Sequence, residues 1–201
     1  MTTRTLFATR FYEGQLNDAA LLAELEESAY ELAQADRAGR TWCREHAYPG
    51  YTSYASLNDL PLRDPAFDKL RRILDRHVAR FVEEAFLDLG GRKAKLDSLW
   101  VNVMKGTGGH HSGHIHPHSI VSGTVYVRVP EGSAPLKLED PRLPMMMAAP
   151  LRRADAPEDA RSFIYAEPQP GTIFLWESWL RHEVPASRAK SERISVSFNY
   201  R

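Results

Sequence analysis

Cysteine is nearly absent: the chain of 201 residues holds one, Cys43. A single thiol closes no internal disulfide, and nothing near it has the spacing of a Cys/His zinc site. Cys43 is expected to be a partly buried small hydrophobe. Net charge is also absent, since Lys plus Arg and Asp plus Glu number 26 each. No global positive field is therefore available for gripping nucleic acid. Arg71, Arg72 and Arg76 fall on a predicted helix, where they read as a solvated face. No apolar run approaches the ~20 residues of a membrane span, and the opening "MTTRT" lacks the apolar stretch of a secretory signal. Internal repeats and low-complexity tracts are missing. With 43% hydrophobic and 26% charged residues, the composition is that of an ordinary globular domain. It is expected to be cytoplasmic, with neither nucleic acid nor membrane as partner.

Two helices are signalled in the first half. Asn17-Asp18 offers an N-cap, and Ala19, Leu22, Leu25, Ala29, Leu32 and Ala33 recur at helical spacing, predicting a helix to about Ala35. Asp64 caps a second helix with Pro65 in its first position. Its apolar stripe runs through Phe67, Leu70, Leu74, Val78, Phe81 and Ala85, and Gly90-Gly91 is read as its stop. "TLFATRF" at Thr5–Phe11 reads as a short strand. Residues 36–63 read as irregular chain, with Trp42, Tyr48, Tyr51 and Tyr54 among turn formers, a length expected only if it packs over something.

After Gly91 the pattern becomes short β-rich segments bounded by Gly and Pro. They are Leu99–Met104, Ile120–Val129, Pro135–Glu139, Ser162–Ala166, Thr172–Trp176 and Arg193–Asn199. Such spacing predicts an antiparallel sandwich or barrel. The expectation is one α+β domain over 1–201, helical through 1–91, with the β core in 92–201.

Histidine is concentrated. "GGHHSGHIHPHSIVSG" (108–123) carries His110, His111, His114, His116 and His118, five of the eight histidines in the chain. On an extended strand, residues i and i+2 share a face, so His114 and His116 present two imidazoles side by side, two corners of a metal site. An isolated pair of this kind is more often a pair of exposed loop histidines. Here a lone His182 follows in "EPQPGTIFLWESWLRHEVPAS", and Arg193-Ile194-Ser195 opens the last strand. A β-sandwich can bring these together. His118 competes with His116 for the second ligand position, but Pro117 perturbs the strand before it. Arg193 opens an alternating strand, so its side chain is expected inward with Ser195 and Ser197. A buried guanidinium needs an anion, and a carboxylate matches its fork.

In this order the segments resemble the iron(II)- and 2-oxoglutarate-dependent oxygenases, more narrowly a bacterial and phage branch of that superfamily. The stretches that carry the resemblance are "LFATRF", "GYTSY", "LWVNV", "HIHPHSIVSGTVYV", "LEDPR", "PQPGTIFLWESWLRHEVP" and "RISVSFN". The resemblance implies a double-stranded β-helix, a cupin-like jelly roll, with the N-terminal helices packed on its sheet. It implies Fe(II) as cofactor, 2-oxoglutarate as co-substrate, and hydroxylation of an unactivated C–H bond. Its first histidine falls on His114, its distal histidine on His182 and its 2-oxoglutarate arginine on Arg193. Ser195 stands as the hydroxyl partner of that arginine, and Tyr126 falls at a strand position whose tyrosine touches the co-substrate. The carboxylate expected second in the triad is replaced by His116. Three-histidine iron sites also occur in cupin-type enzymes that use no 2-oxoglutarate, which is the first alternative. A zinc hydrolase and a metal-free jelly-roll binding module are the others.

The remaining assignments are weaker. Asn102 stands in the apolar "LWVNV" and either bonds the co-substrate or faces outward. Trp176, Trp179 and Met146 are candidates for the substrate pocket, as are Trp42, Tyr51 and Tyr54, although each aromatic taken alone reads as core. The substrate is expected to be a small molecule or an amino-acid or protein side chain. Val-rich strand edges leave a homodimer open.

Overall fold

The computed structural model describes residues 2–201. Three helices precede most of the β structure: α1 (Ala19–Ala35), α2 (Arg37–Glu45) and α3 (Pro65–Glu84). Asp18 caps α1 by accepting from the Leu21 amide, and Asp64 caps α3 by accepting from the Ala66 amide. These are the residues the sequence marks as caps. Helix α3 ends at Glu84, with Ala85 as its C-cap and well before Gly90, because Phe86 takes φ 57° and breaks the helix first.

The described residues form ten strands, in chain order β1 (Phe11–Gln15), β2 (Gly50–Thr52), β3 (Leu96–Met104), β4 (His111–His114), β5 (Val121–Arg128), β6 (Leu136–Glu139), β7 (Phe163–Ala166), β8 (Thr172–Glu177), β9 (His182–Val184) and β10 (Arg193–Tyr200), with β1 before α1 and β2 between α2 and α3. They form two antiparallel sheets, one of six strands in the order β1-β8-β5-β10-β3-β2, the other of four in the order β4-β9-β6-β7. This is the double-stranded β-helix, with the helices on the outer face of the larger sheet.

Strand alternation divides the interior into two layers. Val101 and Val103, Val121 and Val125, Ile173 and Leu175, and Ile194, Val196 and Phe198 face the helices. There they meet Leu21, Leu25, Phe67, Leu70, Leu74 and Phe81, all buried. Full burial of each such side chain contributes about 1.5–3 kcal/mol, so this layer fixes the sheet that carries the site. The residues between them point the other way, toward the smaller sheet, where Tyr126, Phe174 and Trp176 join Leu136, Leu138 and Val184.

Two segments differ from the sequence reading. Extended pairing begins at Phe11, opposite Trp176, and not at Thr5. Phe7 takes φ 58° and is exposed, which interrupts the expected strand. Residues 36–63 are ordered as α2, β2 and a short 3-10 turn at Leu60–Leu62. Helix α2 is too polar to show a long apolar stripe, and one residue ties its start to the segment that follows. Asp36 caps it through the Gly39 amide and also accepts from Tyr51 Oη and Ser56 Oγ. Gly50 lets β2 approach β3, since a Cβ there would lie 2.3 Å from the Val103 carbonyl oxygen, at φ 143°.

Candidate metal centre and cavity

Between the sheets lies a cavity of about 520 Å³. His114, His116 and His182 meet in it, each offering one ring nitrogen, all within 4.8 Å of one another. His114 and His182 are register partners on β4 and β9. His116 lies two residues beyond the end of β4. The shared-strand expectation therefore fails for it, since the pairing with β9 ends at His114. Instead the His116 amide donates to the Ser178 carbonyl at 2.9 Å, and this bond places the ring. His118 is exposed at φ 70° and is not in the cluster.

The second nitrogen of each ring is committed. His114 Nδ1 meets the Ser112 carbonyl at 2.7 Å, His182 Nδ1 the Leu180 carbonyl at 2.9 Å, and His116 Nδ1 meets Asn199 Oδ1 at 2.5 Å. A carbonyl oxygen only accepts, so every Nδ1 carries its proton and every Nε2 is left with a free lone pair. Hydrogen-bonded outer nitrogens of this kind orient metal-ligating histidines. Burial, reinforced by the neighbouring His114, holds His182 down to about 3, and burial also lowers His116. His116 and His182 are thus held in the neutral form, as metal ligation requires.

Strand β10 supplies the other wall. Arg193, Ser195, Ser197 and Asn199 alternate along it and all line the cavity. Arg193 is only 4% exposed. Its Nη1 donates to the Ala134 carbonyl at 3.1 Å, its Nη2 lies 3.6 Å from Met104 Sδ, and its Nε has no partner. The guanidinium sits 5.5 Å above the Tyr126 ring and forms no ion pair among the described residues. A buried cation without an acid is costly unless an anion joins it. The donor set therefore fits both groups: three converging imidazole nitrogens for a divalent iron, and an unpaired guanidinium for a carboxylate.

Asn102 points into the cavity, accepting from Thr52 Oγ1 at 2.8 Å and donating to Ser197 Oγ at 3.1 Å. Ser195 and Tyr126 are buried beside Arg193. Trp176 packs 4.6 Å from the His182 ring, centroid to centroid. Trp42, Tyr54 and Trp100 line the cavity, but Tyr51, Trp179 and Met146 are not among its lining residues. Tyr51 is spent on Asp36, Trp179 is 46% exposed and donates to Glu177, and Met146 ends a 3-10 turn at Leu143–Met145. The sequence reading gave no role to His111 or Tyr48, which are hydrogen-bonded to each other and line the cavity. His111 stood in the histidine-rich stretch, but three positions from His114 it does not share a strand face with it. Tyr48 lay in a segment read as irregular.

A double-stranded β-helix enclosing three converging imidazoles and a buried arginine defines a metal-dependent enzyme of the jelly-roll class. Residues 98–199, just over half of the chain, match the family described as "Putative 2OG-Fe(II) oxygenase". The chain belongs to this family of iron(II)- and 2-oxoglutarate-dependent oxygenases, and is an oxidoreductase. No curated protein matches the sequence. Similar solved structures include a prolyl-4-hydroxylase from Pseudomonas putida, 17% identical with a TM-score of 0.63, covering 96% of this chain and 93% of that one. AviO1 from Streptomyces viridochromogenes Tue57 is 13% identical with a TM-score of 0.61, over 96% and 90% of the two chains. EctD from S. alaskensis, solved with 2-oxoglutarate and 5-hydroxyectoine, is 14% identical with a TM-score of 0.64, over 96% and 72%. At these identities the likeness is one of fold. No helix among the described residues is long and apolar enough to cross a membrane.

Proposed function

We propose that His114, His116 and His182 hold the iron through Nε2, and that Arg193 holds the far carboxylate of 2-oxoglutarate, with Ser195, Tyr126 and Asn102 around it. The observation that carries this reading is the pairing, in one cavity, of three Nε2 lone pairs with a buried guanidinium that has no acid. Iron(II), when bound, supplies the oxygen chemistry that couples decarboxylation of 2-oxoglutarate to succinate with oxidation of a C–H bond. The chain does the rest. Ser112, Leu180 and Asn199 fix the three rings through their Nδ1 protons. The Arg193 fork orients the co-substrate in the plane of its carboxylate. Trp100, Trp176 and Tyr126 wall the cavity and keep bulk water from the reacting groups.

With His116 in place of a carboxylate, the three ligands carry no negative charge. The dianionic co-substrate then balances the metal, so its binding and the metal's reinforce each other. The substrate is a small molecule or an amino-acid or protein side chain that enters past Trp42 and Tyr54. The test is succinate release from 2-oxoglutarate by iron-loaded protein. Metal binding without succinate release, with or without candidate substrates, would favour the three-histidine enzyme that does not use 2-oxoglutarate.

A further inference from the structure

We infer that His111 is a further 2-oxoglutarate-binding residue, whose Nδ1–H donates to the co-substrate carboxylate beside Arg193, and that Tyr48 is the positioning residue that fixes this proton. The inference rests on the reading of Arg193 as the anion clamp.

His111 begins β4, an edge strand of the smaller sheet, and Tyr48 lies two residues before β2, an edge strand of the larger one. The hydrogen bond between Tyr48 Oη and His111 Nε2 joins the two sheets along one side of the cavity. Tyr48 has one proton to donate and two acceptors in reach. Asn102 Oδ1 is the weaker acceptor, at 3.3 Å and already accepting from Thr52 Oγ1 at 2.8 Å. The contact to His111 Nε2 is much the shorter of the two, so we assign the phenol proton to it, which puts the imidazole proton on Nδ1. Burial raises the Tyr48 phenol well above its usual range, so it keeps its proton. Burial, with the Arg193 charge second, holds His111 down to about 3, so the ring is neutral and its tautomer is defined.

Nδ1 of His111 has no hydrogen-bond partner among the described residues, whereas the outer nitrogens of the three triad histidines are all satisfied. His111 is also outside the metal cluster. It lines the same cavity as Arg193, which forms no ion pair there, the lining carboxylate Glu183 being paired with Lys137 at 2.8 Å. A carboxylate offers about four acceptor positions. A guanidinium fork occupies two of them, leaving room for a further N–H donor. Asn102 links this corner to β10 through Ser197, and its register partner is Ser195.

The experiment separates the donor from the sheet-to-sheet contact. His111→Asn keeps an N–H near the Nδ1 position and loses the Tyr48 contact. His111→Gln keeps a group at the Nε2 position and loses the donor. Titration of 2-oxoglutarate into Mn²⁺-loaded protein by calorimetry, with no turnover, should give near wild-type affinity for His111→Asn. His111→Gln and His111→Ala should bind about tenfold to hundredfold more weakly, the usual cost of a hydrogen bond to a charged group. Long-range ¹H–¹⁵N spectra should show the Nδ1–H tautomer of His111 in wild type and its loss in Tyr48→Phe. Full affinity in His111→Gln with weak binding in His111→Asn would make the contact structural and overturn the inference. Unchanged affinity in both His111→Ala and Arg193→Ala would overturn the clamp as well. Loss in Arg193→Ala alone would remove His111 and leave the clamp standing.

Discussion

Asn199 Oδ1 accepts from His116 Nδ1 at 2.5 Å, joining the last strand to the loop after β4. The same oxygen accepts from Ser122 Oγ at 2.8 Å, and Asn199 Nδ2 donates to Ser98 Oγ at 3.3 Å. The amide is thus held on both sides and aims His116. Asn199→Ala should lower metal affinity about 10-fold to 100-fold, the usual cost of losing such an orienting partner. Competitive metal titration reads this directly, and an unchanged constant would release Asn199 from the role.

His182 is the buried corner of the triad and shares its register position with His114. His182→Ala should abolish stoichiometric iron binding, whereas His118→Ala should leave the metal content intact. Iron retained in His182→Ala, or lost in His118→Ala, would mean that the ligand set is drawn wrongly.

Arg193 is a buried cation with no acid beside it. Bound 2-oxoglutarate should therefore raise the thermal midpoint of Mn²⁺-loaded wild type. The increment should vanish in Arg193→Ala and shrink in Arg193→Lys, which keeps the charge but loses the fork. An equal increment in all three proteins would place the anion elsewhere.

Proton linkage gives a prediction for the metal-free protein. His111 and His182 are held down to about 3 in the folded chain, against about 6.5 when unfolded. Between those values the unfolded chain binds protons that the folded chain refuses. Stability is then complete above about pH 6.5 and falls as pH drops toward 3. Urea midpoints should decline steadily over that window, less so in His111→Asn. A flat profile would contradict two buried neutral imidazoles.

Asp36 caps α2 and accepts from Tyr51 and Ser56. Asp36→Ala should destabilise the fold by about 2 kcal/mol, one part from the cap and one from the hydroxyls left unsatisfied. Urea denaturation at neutral pH measures it, and a change within about 0.5 kcal/mol would show that the segment is held by other contacts.

The sequence was most legible where a period or a cap could be counted. Asp18, Asp64 and Pro65 mark the helix starts, and the alternation of Ile194, Val196 and Phe198 puts Arg193 and Ser195 on the opposite face. The long strands β3, β5, β8 and β10 were readable for the same reason. Short elements were not. Strands β4 and β9 have four and three residues, too few to show a period, and α2 hides its stabilising group in one aspartate. The triad was legible as a residue set, but the reason for His116 was not. Its place is set by a backbone bond to Ser178 and by an amide on the last strand, neither of which spacing reveals. The Tyr48–His111 bond was out of reach because it joins an edge strand to the segment before another, which are brought side by side only by the closed fold.

Strand β10 carries the structural core on one face and the chemistry on the other. A slip of one residue against β3 or β5 would turn Arg193 and Asn199 toward the helices and drive Ile194 and Phe198 into the cavity. Misregistered chains would therefore lose the helix layer together with the site, and no well-packed but blind version of this enzyme is available. Proofreading of the cavity is built into the act of folding, and a population that unfolds cooperatively is, by the same token, one whose Arg193 is correctly aimed into it.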